Sequence, residues 1–368
     1  MIAVASCHHY ADDERIFHRQ VKLLIQENFE VQYFTRSNTE LIDQDGLQLY
    51  KNFNPDLNTT DLYQKKLLNI YKQNPPKILH IHEPELLWLA KKTKEKYGTI
   101  IFYDVHEDYP SLIKTFSNWP EPIQWLKKTL WVMREKKYLS WVDEVILASP
   151  AIKNCDYGKQ GFRPNIIGNF PETKLFPNTE LDFNRNNILV YHGHLAPERG
   201  ITELVESMEK VKVKVSDVIL NLFGTFRTKE YEQVILEKIN SLGLGENILW
   251  HGQVAHHEIW QHLVKAKVGL IPFASNALTR IGTPTKLFEY MAAGCRIVAS
   301  DLPPLKQFEV QALHLVKPGD VAQLAGAIIQ ALNDSTNSGL QENRNSIYSK
   351  YNWNFLTDSF ISIYKEYL

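Results

Sequence analysis

The sequence predicts an α/β protein of two Rossmann-like domains whose parallel sheets face each other across a cleft. Three observations carry that expectation. Short β-rich runs alternate with helix-like stretches from end to end, the pattern that builds parallel sheets covered by helices on both faces. The alternation restarts after Asn169-Phe170-Pro171. The chain has 368 residues, more than one hydrophobic core usually organises.

In the first half the strand candidates are Ile2–Ser6, Glu30–Thr35, Ile78–His82, Ile100–Val105, Glu144–Ala148 and Asn165–Ile167, with helical patterns at Glu14–Gln26, Leu62–Lys72, Glu85–Lys96 and Pro122–Leu139. In the second half Ile188–Tyr191, Val218–Phe223, Ile248–Trp250, Val268–Pro272, Arg296–Ala299 and His314–Val316 read as strands. Segments 200–210, 228–241, 257–265, 284–293 and 321–332 read as helices. A polar gap, Asn333 to Asn345, precedes a last amphipathic segment, Trp353 to Leu368. The domain division is therefore 1–170, 171–345, and a terminal helical stretch, 346–368, whose packing is left open, with a return across the first domain as one arrangement.

Composition narrows the function class. Basic and acidic residues number 41 and 42, so no global field points to nucleic acid. Cys7, Cys155 and Cys295 are odd in number and lack metal-ligand spacing, which fits a reduced, cytoplasmic setting. The opening Met-Ile-Ala-Val-Ala-Ser meets His8, His9 and Asp12 too soon for a signal peptide. No run approaches the roughly 20 apolar residues that span a bilayer.

The most informative stretch is Pro284 to Gly294. It opens a helix after the Gly282-Thr283 turn, and proline at a first helical turn costs little because its missing N–H would be unpaired anyway. The N–H groups of that turn and the positive end of the helix dipole suit a phosphate. Thr285, Lys286 and Leu287 stand at this start. Lys286 opposes the dipole and calls for an anion or for exposure. Glu289, a turn further in, can accept hydrogen bonds from sugar hydroxyls. The opening strand of the same domain, Ile188–Tyr191, runs into Gly193-His194 and on to Arg199-Gly200. Here glycine lets backbone approach a ligand and Arg199 can clamp a pyrophosphate. The plainer alternatives are a strand-to-helix turn with a solvated arginine and a surface glutamate.

The first domain holds a different chemistry at its strand ends. Strand 78–82 leads into His80-Ile81-His82-Glu83-Pro84-Glu85, strand 100–105 into Asp104-Val105-His106-Glu107-Asp108, and the first strand into Cys7-His8-His9 with Asp12-Asp13-Glu14-Arg15. Polar residues at the carboxyl ends of strands face the expected cleft. A metal site is the rival reading of the same histidines and carboxylates, although no helix-borne histidine pair accompanies them.

The stretch Ile113 to Trp141 holds four of the eight tryptophans and six basic residues against two acidic ones. Ile123, Leu126, Leu130 and Met133 recur at helical spacing among Lys127, Lys128, Arg134, Lys136 and Lys137. Interfacial membrane helices show that mixture. A helix packed on the sheet with a basic outer face is the alternative.

With these residues in view, the chain resembles family 4 of the retaining glycosyltransferases, two-domain enzymes of the GT-B fold, over nearly its whole length. Asp13 to Gln20, His82 to Leu87 and Tyr103 to Pro110 are similar to signatures of the polysaccharide-assembly branch; Pro284 to Gly294 and Val298 to Asp301 are the most specific match. The resemblance implies that Glu289 binds the nucleotide ribose, that Arg199 and Lys286 lie near the diphosphate, with Gly193, His194, Gly282, Thr283, Thr285 and Leu287 around them, and that His106 lies beside the donor sugar and the reacting bond. Asp104 and Glu107 are its catalytic neighbours, and His82, Glu83, Arg15 and Asp13 the acceptor side.

Two departures stand out. The family pairs Glu289 with an earlier acid, and that position is Ile281 here. The basic residue that often follows the first glycine of the 193–200 loop is His194. The expected reaction is transfer of a hexosyl group from a UDP- or GDP-sugar to a glycan or lipid-linked acceptor with retention, by same-face attack, with no metal or cofactor. The expected location is cytoplasmic, peripheral at the inner face of an anionic membrane. The alternatives are a nucleotide-sugar epimerase or hydrolase of the same fold, a metal-dependent hydrolase using the histidine and carboxylate clusters, and a partner subunit without donor chemistry.

Overall fold

The computed structural model describes residues 1–35, 47–50, 60–117, 119–152, 155–176 and 180–368. It divides into two compact units, Met1–Asn169 with Leu356–Leu368, and Phe170–Phe355.

The first unit is built on seven parallel strands: β1 Ile2–Ala5, β2 Val31–Phe34, β3 Leu47–Tyr50, β4 Ile78–Ile81, β5 Ile100–Val105, β6 Glu144–Leu147 and β7 Asn165–Ile166, in the order β3-β2-β1-β4-β5-β6-β7. β1, β2 and β4 are buried at every position. Strands covered on both faces are read as unbroken apolar runs. β3 has no counterpart among the predicted strands. It is a short edge strand in register with β2, where Gln32 donates to Gln48 across the pair at 2.9 Å.

The second unit repeats the plan with β8 Ile188–His192, β9 Ile219–Phe223, β10 Ile248–Trp250, β11 Val268–Ile271, β12 Arg296–Ser300 and β13 Leu313–Val316, in the order β10-β9-β8-β11-β12-β13. In both sheets the winding direction reverses beside the first strand, between β1 and β4 and between β8 and β11. Ligands of open parallel sheets sit outside the carboxyl ends of the strands at such reversals.

Three helical segments differ from expectation. The Glu14–Gln26 helix is a wide π-type coil over Glu14–Val21 that tightens into an α-helix at Lys22–Gln26. A helix at Tyr109–Phe116, capped by the Asp108 carboxylate on Ser111 N–H at 2.9 Å, was not foreseen. The supposed polar gap contains much of another, Leu340–Ser349. Its buried positions include Asn343 and Arg344, which hides its inward face from a hydropathy pattern. Asn343 closes a two-way bond with the Gln311 backbone at 2.7 and 2.6 Å.

The last helix, Trp353–Lys365, begins in the second unit and ends in the first. Its far end brings Phe360 and Tyr364 against Phe102 and His80, and the Lys77 ammonium donates to the Leu368 carbonyl at 3.0 Å.

Candidate active site

In the first unit the carboxyl ends of β1, β4 and β5 bring together residues that lie far apart in sequence. Glu83, at the end of β4, is 1% exposed. Its carboxylate accepts from Ser6 Oγ at 2.6 Å, Cys7 N–H at 3.0 Å and His8 N–H at 3.1 Å. The carboxylate, expected on the acceptor side, thus shapes the loop after β1. Asp13 caps the following helix by accepting from the N–H groups of Arg15 and Ile16 at 2.8 and 2.9 Å, and pairs with His9 Nδ1 at 3.2 Å. Although burial raises its pKa, the bonds from His9 and the helix backbone prevail and bring it down to about 2. His9, pulled the other way by Asp13, titrates above its ordinary value despite burial.

Asp104 is completely buried at the end of β5. Arg15 grips it through Nη to Oδ1 at 2.9 Å, Nη to Oδ2 at 3.0 Å and Nε to Oδ2 at 3.2 Å, and Gln20 adds a bond to Oδ2 at 2.7 Å. The other Arg15 Nη donates to the Ile167 carbonyl at 2.6 Å and to Asn169 at 2.7 Å. Arg15, expected on the acceptor side, and Asp104, expected among the catalytic groups, are thus partners in one enclosed ion pair.

Around Asp104 stand three histidines. His106 Nε2 lies 3.5 Å from Oδ1, while His80 Nε2 and His82 Nδ1 lie 3.8 and 3.9 Å from Oδ2. His82 Nδ1 and His106 Nε2 share a hydrogen bond of 3.1 Å. Burial pushes the pKa of His80 down to about 4 and that of His82 well below its ordinary value, so both are neutral. Glu107 is exposed.

His80, His82 and Asp104 converge closely enough to resemble a metal site, as do Cys7, His8 and Glu85. In the first group the guanidinium of Arg15 already occupies the carboxylate at 2.9 to 3.2 Å. A second cation there would face like charge at close range.

In the second unit the reversal beside β8 carries the opposite kind of charge. The helix Lys286–Ala293 is buried along its whole length, Leu287 included. The Leu287 side chain therefore belongs to the core. Its N–H and those of Phe288 and Glu289 donate to Pro284 O at 3.1 Å and Thr285 O at 3.0 and 3.4 Å, so these three donors are already engaged. Gly282 and Thr285 are exposed and Thr283 half-buried before the helix.

Lys286 is 8% exposed. Its Nζ lies 4.3 Å from the Tyr191 ring centre and 5.0 Å from that of Phe273, and Arg199 Cζ lies 4.6 Å from the same Phe273 ring. Among the described residues neither cation has a carboxylate within ion-pair distance. Burial, reinforced by Arg199, drives the Lys286 pKa well down, while Glu289 opposes the shift. Gly193, with φ of 109°, faces this ammonium, and a Cβ there would lie 3.1 Å from Nζ. Glycine is the residue that fits such a conformation and approach.

Glu289 is 4% exposed and pairs with His192 Nε2 at 2.9 Å. The sequence reading missed His192 because it ended the strand at Tyr191; the signal was a polar residue directly before Gly193. His192, Gly193 and His194 line a cavity of about 340 Å³ with Phe223, Gly224 and Val254. His194 is exposed, and its pKa is lowered by partial burial and then by Arg199, Arg227 and Lys286.

Comparison with known proteins places this geometry. Residues 174–352 match the family described as Glycosyl transferases group 1. A putative teichuronic acid biosynthesis glycosyltransferase, TuaH, of Bacillus subtilis (strain 168) is 24% identical over 111 residues, 30% of this chain and 28% of that protein. The match thus spans little more than a quarter of the relative's length. Among solved structures, sucrose-phosphate synthase from Thermosynechococcus elongatus superposes with a TM-score of 0.79 at 19% identity, covering 99% of this chain and 98% of that one. Anabaena Alr3699/HepE in complex with UDP gives 0.73 at 13% identity, with 99% of each chain covered. The chain thus has the GT-B fold of these solved structures, and its residues 174–352 are similar to the glycosyl transferases group 1 family.

Proposed function

We propose that this protein transfers a hexosyl group from a UDP- or GDP-sugar to a glycan or lipid-linked acceptor in polysaccharide biosynthesis. The observation that carries the reading is the pair of cations, Lys286 and Arg199, set over one aromatic ring without a carboxylate partner. Two like charges in a partly desolvated place want a polyanion, and a nucleoside diphosphate supplies one. The matched family, the name of the Bacillus relative and the UDP in the HepE structure support the same reading.

In this reading Lys286 and Arg199 stabilise the diphosphate as the bond from C1 to its oxygen breaks. Fixed cations do this without reorganising at the moment of reaction. Glu289, oriented by His192, accepts from the ribose hydroxyls. His106 stands at the reacting sugar, with Glu107 beside it in the chain. Retention, which the family resemblance implies, follows from same-face attack: the acceptor oxygen bonds to C1 as the phosphate leaves, and the acceptor proton passes to the departing phosphate oxygen. No metal is required, because the two side-chain cations supply the charge. Full turnover in the presence of a chelator is the expected result; loss restored by a divalent ion would overturn that part.

We also infer a cytoplasmic protein that touches an anionic membrane through Glu121–Leu139. No helix among the described residues is long and apolar enough to cross a membrane. On this helix, however, Trp125, Leu126, Leu130 and Met133 are 68, 50, 55 and 62% exposed, beside exposed Lys127 and Lys128. A helix merely packed on the sheet would bury its apolar positions. Binding to anionic vesicles at low salt, lost on reversing Lys127, Lys128, Lys136 and Lys137 to Glu, is expected.

The central test is a thermal-shift and turnover screen against UDP-, GDP- and dTDP-sugars, since a ligand bound to the native state raises its stability. Neither binding nor turnover with any of them would sink the reading. Product formation that depends on an acceptor separates transfer from hydrolysis or epimerisation. His106→Ala should lower turnover more than it weakens UDP binding.

A further inference from the structure

The buried cluster under His106 continues beyond Asp104. Tyr364, on the last helix, lies with its hydroxyl 2.6 Å from His80 Nδ1. Both side chains are completely buried, and the His80 ring lies between His82, at 4.4 Å between ring centres, and Phe360, at 6.5 Å. The protons of this cluster can be assigned by elimination. Asp104 is ionised, held so against burial chiefly by Arg15. A neutral His80 therefore points its N–H, Nε2, at Oδ2 across 3.8 Å, an electrostatic orientation rather than a hydrogen bond, and Nδ1 becomes the lone pair that accepts from the Tyr364 hydroxyl.

The same logic applies to the bond between His82 and His106. If His82 donated, the lone pair of His106 Nε2 would sit 3.5 Å from the anionic Oδ1. The reverse arrangement puts an N–H there, shared with His82 Nδ1 at 3.1 Å. Oδ2 is already engaged by Gln20 and Arg15 and faces His80 on its remaining side. Oδ1 accepts from one Arg15 Nη at 2.9 Å and keeps its other lone pair facing His106 at 3.5 Å. Partners on one imidazole nitrogen decide which tautomer the other presents.

We propose that Tyr364 is a positioning residue for His106: through His80 and Asp104 it holds His106 as the Nε2–H tautomer, leaving Nδ1 as the acceptor for a substrate hydroxyl. The last helix then acts on the chemistry of the first unit as well as closing its sheet. The substrate role rests on the reading of His106 given above; the tautomer does not.

Two measurements keep these apart. Long-range ¹⁵N–¹H correlation of the imidazoles in the ligand-free full-length protein should show His80 and His106 protonated at Nε2. In Tyr364→Phe the His80 resonances should move, a second His106 tautomer should appear in exchange, and kcat with UDP-glucose should fall three- to tenfold at unchanged KM. Phe360→Leu, which loosens the same helix but keeps the hydroxyl, should lower stability and leave the tautomers as they are. A His106 protonated at Nδ1 in the unmodified protein would overturn the proposal. So would Tyr364→Phe leaving both the imidazole spectra and kcat unchanged. Should UDP-glucose not be turned over at all, the functional reading fails while the spectra still decide the tautomer.

Discussion

Buried charge is treated in opposite ways in the two units. In the first, Asp104 meets a guanidinium, an amide and three imidazoles, and Arg15 spends its remaining donors on Ile167 and Asn169. In the second, the Lys286 ammonium has two aromatic faces and a second cation for company. A compensated buried ion pair holds a structure in place. An uncompensated buried cation is a standing cost that a bound anion removes. Cation–π contact offsets part of that cost, on the order of 2 kcal/mol when desolvated. The difference teaches which polar residues of this chain to expect at a ligand and which in the frame beneath it.

Stability measurements bear on this contrast most heavily. Breaking the Arg15–Asp104 pair with Arg15→Met leaves a buried carboxylate uncompensated and should cost about 3–5 kcal/mol, read as a fall in the denaturation midpoint. Lys286→Met removes an unpaired charge at similar volume and should leave ligand-free stability equal or higher. If both substitutions destabilise alike, Lys286 is a structural cation and the contrast collapses.

Activity should reverse the ranking. Lys286→Met should cost about 2.7–4 kcal/mol of barrier stabilisation, or roughly 10²–10³ in kcat, and abolish the thermal shift by a nucleoside diphosphate. Its pH dependence follows from the direction of the pKa shift. The free protein holds the Lys286 pKa well down, and a bound diphosphate raises it again, so the complex carries more protons. Affinity should therefore fall as pH rises from the free to the bound pKa. Calorimetry in two buffers of different ionisation enthalpy, at a pH between the free and bound pKa, would register the proton uptake; heats independent of buffer throughout would mean that the diphosphate does not raise the Lys286 pKa.

The charged groups also show where sequence reasoning reached and where it stopped. The parallel sheets were legible because their central strands are continuous apolar runs. β3 and the Leu340–Ser349 helix were not, one being a short edge and the other burying Asn343 and Arg344. Lys286, Arg199 and Glu289 stood out because they sit beside turns and helix starts of one domain. That Asp104 and Glu83 are already hydrogen-bonded was hidden, because their partners are 89 and 77 positions away. No local pattern distinguishes a free carboxylate from a satisfied one.

Glu289 is an intermediate case, a buried carboxylate that pairs with His192 at 2.9 Å. A ribose role requires its charge to strengthen bonds from sugar hydroxyls. Glu289→Gln keeps an acceptor oxygen but loses that charge, and should weaken UDP binding about tenfold, roughly 1.4 kcal/mol. Unchanged UDP affinity would move Glu289 into the frame with Asp104.

The smallest effect is expected at Asp13, a compensated charge near the surface of the first unit. Asparagine caps a helix about as well as aspartate, so Asp13→Asn isolates the pairing with His9 from the cap itself. The aspartate is lowered from 3.8 to about 2 and His9 is raised above 6.5. The lowered carboxylate contributes stability above its unfolded pKa, lost as pH falls through about 2. The raised histidine contributes stability below its unfolded pKa, lost as pH rises through its higher folded value. Their window of overlap runs from about pH 4 to 6.5, where the variant should be less stable by about 1 kcal/mol. Urea unfolding across that range should show the difference shrinking on both sides. A constant difference from pH 4 to 8 would mean the loss comes from the cap, and that His9 and Asp13 do not form a charge pair.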